Sequence, residues 1–207
     1  MSDKKIILAG YSGHGFVVAE AAQMSNLPLK YYSEFNELLI NPFGLEYLGF
    51  EGNQLFEGWN CEYDFILGVG DNKIRQKVAQ LIASKHKKIL NVIHPSAAIS
   101  SKVAMGEGNF IARNAAINPL VTIGDYCILN TGCIIEHECA LGDGVHIAPG
   151  AVLAGNVTVG AGSFIGANAV VKQGVSIGNN VIIGAGTVVI RDVLDNIKIA
   201  GNPAREI

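Results

Sequence analysis

Two groups of residues carry side chains suited to chemistry. In IEHECA, His137 is followed at once by Glu138, and His146 comes nine residues later. Imidazole titrates near neutral pH, so it can take a proton from an amine or hydroxyl as that group attacks a carbonyl. A carboxylate beside it can fix the ring tautomer and favour the imidazolium that forms. Standing alone, such a pair is more often a solvated one. The second group is GYSGHG, Gly10 to Gly15. Glycines between a strand and a helix can cradle phosphate on backbone N–H groups, and His14 in the turn favours a ligand. A tight turn with no ligand also fits these residues. A dinucleotide site would show an acidic residue ending the second strand; in KYYSEF only Glu34 is available.

Metal and thiol chemistry fit less well. His94, His137 and His146 are 43 and 9 residues apart, with no His pair at ligand spacing, so no metal is expected. Cys127, Cys133 and Cys139 recur every six residues, which places them on a structural period. With Cys61 they read as small buried fillers of a reducing compartment, not as nucleophiles.

Two grammars position these groups. Residues 1–90 alternate strand and helix: strand Ile6–Ala9, the glycine turn, a helix over Phe16–Ser25, and a strand over Lys30–Tyr32. A strand over Tyr63–Val69 then ends in GVGDN. A helix over Asn72–Ser84 follows with Ile74, Val78, Leu81 and Ile82 on one face, and Lys88–Val92 forms a last strand. This predicts a small Rossmann-like α/β domain with a truncated parallel sheet. From Ile93 to Val189 every sixth residue is aliphatic, and the frame holds for 17 hexads. The fifth hexad position is small, as in Ala115, Cys127 and Val145, and Gly or Ala often follows the aliphatic residue. Three hexads closing one coil predict a triangular parallel β-helix of between five and six coils over residues 91–207. Gly after the aliphatic position is expected to serve the unusual corner angles. In this frame His137 points outward, and half a coil from it His146 is expected on a neighbouring edge, facing the same cleft.

Composition narrows the function. Across 207 residues the net charge is −3 and only 16 % are charged, so no nucleic-acid or anionic-membrane partner is expected. No apolar run approaches the roughly 20 residues of a membrane span. The start MSDKKIILAG lacks a signal-peptide cleavage pattern, which reads as cytoplasmic.

IILAGYSGHGFVVAEAA, DFILGVGDNKIR, NVIHPSAAIS, NTGCIIEHECALGDGVHIAPGAVLAGNVTVG and AGNPAREI together resemble the sialic acid O-acetyltransferase / nucleotide-amino-sugar N-acetyltransferase family, over essentially the whole chain. The resemblance implies that the β-helix is left-handed and that acetyl-CoA is the co-substrate. It implies a homotrimer with active sites between subunits. It implies transfer to the 4-amino group of a UDP-linked 4-amino-4,6-dideoxy sugar, as for the bacillosamine precursor. His137 resembles the general base, Glu138 its orienting carboxylate, and Asn130 a residue near the acceptor. His146 resembles a contact of the thioester region, and Gly155, Ala167 and Ala185 a pantetheine wall. Ser12, Gly13 and His14 resemble the phosphate loop, flanked by Gly68 and Gly70. Many relatives carry Asp-Asp after the second strand where this chain has Ser33-Glu34, a departure bearing on base or nucleotide. O-acetylation of sialic acid or another free sugar shares every motif. A non-catalytic binding solenoid is the alternative of a different class.

Overall fold

The computed structural model describes residues 5–207. The chain divides into two compact units, Met1–Pro95 and Ser96–Ile207.

In the first unit, strand β1 (Ile6–Ala9) is four aliphatic residues buried on both faces, as expected of the centre of a parallel sheet. It leads through the glycine motif into helix α1 (Gly13–Met24). Strands β2 (Leu29–Ser33), β3 (Glu46–Tyr47) and β4 (Asp64–Leu67) complete a four-stranded sheet in the order β3-β2-β1-β4. Every pairing in it is parallel. Helix α2 (Asn72–Ser84) follows, with the Asp71 carboxylate accepting from Ile74 N at its start.

Two expectations need correcting, at the start of α1 and at the last strand. Helix α1 begins at Gly13, not Phe16, so half of the glycine motif lies in its first turn. The reason is close packing: a Cβ on Gly15 would lie 2.4 Å from Gly10 O, and one on Gly68 2.0 Å from the same atom. Gly10 itself turns the chain at φ +87°. In α2 the buried residues are Arg75, Ala79 and Ile82, while Ile74 is exposed and Val78 and Leu81 are half-buried. The strand expected over Lys88–Val92 is reduced to one bridge between Ile89 and Phe65, with a two-residue strand at Val92–Ile93.

The second unit is the parallel β-helix. Two-residue strands recur every six residues from Ala98–Ile99 to Val188–Val189. Each up to Val170–Val171 pairs in parallel with the strand 18 residues on, so that one coil is three hexads. Three faces result. The first carries Ile128–Leu129, His146–Ile147 and Phe164–Ile165; the second Ile134–Ile135 and Val152–Leu153; the third Ala140–Leu141 and Thr158–Val159. The hexad aliphatics from Ile111 to Val189 are buried, and so are the fifth-position residues, giving one continuous core. Ile93 is exposed and lies outside this column. In the last coil the spacing shortens to 16 residues, as in Ile183↔Ile199.

The corner chemistry differs from the expectation. Left-handed backbone occurs three residues after the inward aliphatic, at Asn114, Asn156, Asn168, Asn180 and glycines such as Gly132 and Gly150. The glycines directly after the aliphatic lie outside that region and serve close approach instead. A Cβ on Gly166 would lie 2.5 Å from Gly184 C of the next coil, and one on Gly142 2.7 Å from Ala161 N. Successive coils meet backbone to backbone there.

Candidate active site

His137 and Glu138 occupy the edge where the second and third faces meet, between Ile135 and Ala140. His137 Nδ1 lies 3.0 Å from Glu138 Oε2. A carboxylate only accepts, so Nδ1 donates and in the neutral ring Nε2 keeps its lone pair. The ring lies over Gly155, the residue one coil further on the same edge. Glu138 is the left-handed corner residue, at φ +63°. Non-glycine side chains other than Asn and Asp are disfavoured there by about 1–2 kcal/mol. We therefore expect Glu138→Asn to raise thermal stability, by about 1 kcal/mol, while turnover falls because the ring loses its carboxylate. Parallel melting and rate measurements on that one variant check both halves.

His146 stands on the first face, buried, with its ring edge-on to Phe164 at 5.0 Å between centroids. Asn130 Nδ2 lies 3.3 Å from His146 Nε2, and Asn130 Oδ1 accepts from Thr131 N at 2.8 Å. The structure therefore joins Asn130 to His146 and separates both from His137. In a three-sided prism the edge between the second and third faces lies opposite the first face. His146 and His137 are thus on opposite sides of one prism, not on neighbouring edges around one cleft. Half a coil is half a circuit, which inverts the direction. Gly155 is on the His137 edge, whereas Ala167 and Ala185 are on the edge between the first and second faces. They do not make one wall within one chain.

The thiols are unsuited to nucleophilic work. Cys127, Cys133 and Cys139 are buried, and Cys61 is half-buried. Burial pushes the Cys133 thiol up to about 12 and raises that of Cys139. Among the described residues no group of three His, Cys, Asp or Glu side chains stands together as a metal site.

The first unit holds a cavity of about 450 Å³ at the ends of β1 and β4. Gly10, Ser12, Gly68 and Gly70 form one rim, and Glu34 and Glu51 one side. The Glu34 carboxylate is held by Tyr11 N at 3.1 Å and Phe35 N at 2.9 Å, tying the glycine motif to the end of β2. Glu51 is buried, which raises its carboxyl above the usual carboxylate range. Ser33 is itself fully buried behind it. Ile74, Val78 and Leu81 of α2 form an apolar wall, with Lys77 beside them. The sequence placed these residues on one face of the helix without saying what that face meets, and nothing in it marked Glu51 or Lys77. Ser12 occupies the N-cap position of α1 without capping it by its side chain. Around Gly13 there is open space where a side chain would be. His14 is half-buried against Gly70, and burial together with the Arg75 guanidinium lowers its pKa to about 4. Arg75 is fully buried and donates to the carbonyls of Val69 at 3.3 Å and Gly70 at 3.0 Å, bracing the GVG loop from behind.

Comparison with known proteins places this geometry. Residues 5–82 match the PglD N-terminal domain, and residues 120–155 and 156–191 match the bacterial transferase hexapeptide family. The acetyltransferase domain of PglB from Neisseria gonorrhoeae FA1090, solved with acetyl coenzyme A, is 30% identical, with 99% of each chain covered and a TM-score of 0.91. PerB from Caulobacter crescentus, solved with CoA and GDP-perosamine, is 33% identical over 98% of this chain and 97% of its own, with a TM-score of 0.92. This chain belongs to the nucleotide-amino-sugar N-acetyltransferase family of hexapeptide β-helix proteins. It is an acyltransferase, with the family's Rossmann-like N-terminal domain ahead of the solenoid. WeeI from Acinetobacter baumannii AYE, at 23% identity over 99% of this chain and 100% of its own, shares the fold with a TM-score of 0.83.

Proposed function

We propose that this acyltransferase moves the acetyl group of acetyl-CoA to the 4-amino group of a nucleotide-linked 4-amino-4,6-dideoxy sugar. The observation that carries the reading is the His137–Glu138 pair, whose Nδ1–Oε2 bond leaves Nε2 to accept a proton at the prism edge. As the amine attacks the thioester carbonyl, Nε2 takes its proton. Backbone N–H groups at coil corners stabilise the oxyanion. The tetrahedral intermediate collapses with loss of the CoA thiolate, which recovers the proton from His137. No covalent enzyme intermediate forms, in keeping with the burial of Cys127, Cys133 and Cys139.

The cavity of the first unit suits the nucleotide. Its glycine rim, Ser12 and Lys77 match phosphates, its apolar α2 wall a base, and its carboxylates hydroxyl or N–H donors. Uridine diphosphate, implied by the sequence resemblance, is the first nucleotide to test. The opposed placement of His137 and the Asn130–His146 pair supports active sites shared between copies, as in the homotrimer that the sequence resemblance implies. If both act on one substrate, they come from two copies, with acetyl-CoA between adjacent prisms.

The test is thiol release from acetyl-CoA against UDP-, GDP- and dTDP-linked 4-amino sugars and free sialic acid. We expect rapid release with one nucleotide amino sugar. Release with sialic acid alone overturns the reading in favour of O-acetylation. Absence of acetyl-CoA binding returns the chain to a non-catalytic solenoid.

A further inference from the structure

Gly155 lies beneath the His137 ring, and its lack of a side chain calls for a reason. A Cβ built there would stand 2.5 Å from His137 Cε1, 2.6 Å from Nε2 and 3.2 Å from Nδ1. These are contacts with the ring itself, and the two shorter ones are at distances that real Cβ atoms essentially never show. The fold does not ask for glycine here, because the backbone of Gly155 lies outside the left-handed region. The equivalent position, two residues after the inward aliphatic, carries a side chain at Arg113, Asp125, Thr131, Asp143, Ala167 and Asn179. The corner therefore tolerates a Cβ wherever no imidazole lies over it.

The ring is half exposed and can give way to such a contact, but only by leaving its present height over the edge and its place against Glu138. Coil spacing at this edge is set by Asn156 N donating to His137 O at 2.8 Å and Gly174 N to Gly155 O at 3.0 Å. On its other side the ring is tethered to Glu138, 3.0 Å from Nδ1. Carbon atoms pack at about 3.5–4.0 Å, so a methyl at 155 displaces the ring by about 1 Å. That displacement either breaks the bond to Glu138 or turns Nε2 away.

We infer that Gly155 is a positioning residue, a seat that sets the height and tilt of the His137 imidazole against Glu138. This rests on the reading of His137 as general base. It differs from a place in the pantetheine wall, because its effect runs through the ring and disappears when the ring is removed.

The experiment is a cycle of Gly155→Ala, His137→Ala and the double variant, using the intact protein. Gly155→Ala is expected to lower kcat by about 100-fold, the scale of a 1 Å misplacement, with KM for acetyl-CoA and CoA affinity changed less than about threefold. In the H137A background the same substitution is expected to leave kcat unchanged, with a melting temperature at or above that of H137A alone. The melting comparison keeps the test decisive even if Gly155→Ala by itself folds poorly. A Gly155→Ala enzyme within about threefold of normal turnover overturns the seat. So does weakened CoA binding in both backgrounds, which would return Gly155 to the pantetheine path. Near-normal activity of H137A alone sinks the base reading itself, a separate outcome.

Discussion

We expect His137→Ala to lower turnover by about 10²–10⁴-fold and to leave the β-helix folded. The size follows from what the proposed base would supply: a proton acceptor held in one tautomer by Glu138 at 3.0 Å, at the moment the amine gains positive charge. Without it only solvent takes the proton, although the acceptor and thioester are still brought together. The fold survives because His137 is on the outer surface of an edge, while Ile135 and Cys139 on either side of it carry the core contacts. Unchanged far-ultraviolet circular dichroism and melting, with collapsed kcat and a retained KM for acetyl-CoA, are the expected pattern. Turnover within a few-fold of the parent enzyme would remove His137 from the chemistry.

We expect acid to have a large effect on the first unit. Burial and the Arg75 guanidinium hold His14 neutral, with a pKa near 4 against 6.5 in an unfolded chain. The folded state therefore binds this proton later than the unfolded one. Stability from the neutral ring is complete above about pH 6.5 and drains away as pH falls toward 4, by about 3 kcal/mol in all. Trp59 is the only tryptophan and packs against Phe65 in this unit, so its fluorescence reports unfolding locally. The parent protein should lose denaturant resistance between pH 7 and 4 faster than His14→Gln, whose side chain does not titrate. Parallel curves for the two proteins would show that His14 is not held neutral.

Legibility in the sequence was uneven, for physical reasons. The hexad core was plain because the coil repeats with the covalent chain: each inward aliphatic is fixed by counting, and Ile111 to Val189 follow the count into the column. The same counting failed for corner glycines, since Gly142 and Gly166 answer to the backbone of the coil above, 18 residues away. Helix α2 was recognised by its period, yet its apolar stripe at Ile74, Val78 and Leu81 faces a cavity while Arg75 is buried. An amphipathic pattern does not distinguish a core from a binding wall.

The site divides in the same way. Residue types and their order determined that His137 has an adjacent carboxylate, that Asn130 and His146 accompany it, and that glycine motifs end β1 and β4. The tertiary structure decided which of these meet. Asn130 reaches His146 because the ladder of the first face places them on adjacent coils. His137 faces the opposite way because nine residues are half a turn of the prism. Gly155 touches His137 because eighteen residues make one full turn, bringing a residue distant in the chain directly under the ring. Local sequence sets side-chain chemistry and period, but the direction a side chain takes and the atom it rests on come from the closure of the coil.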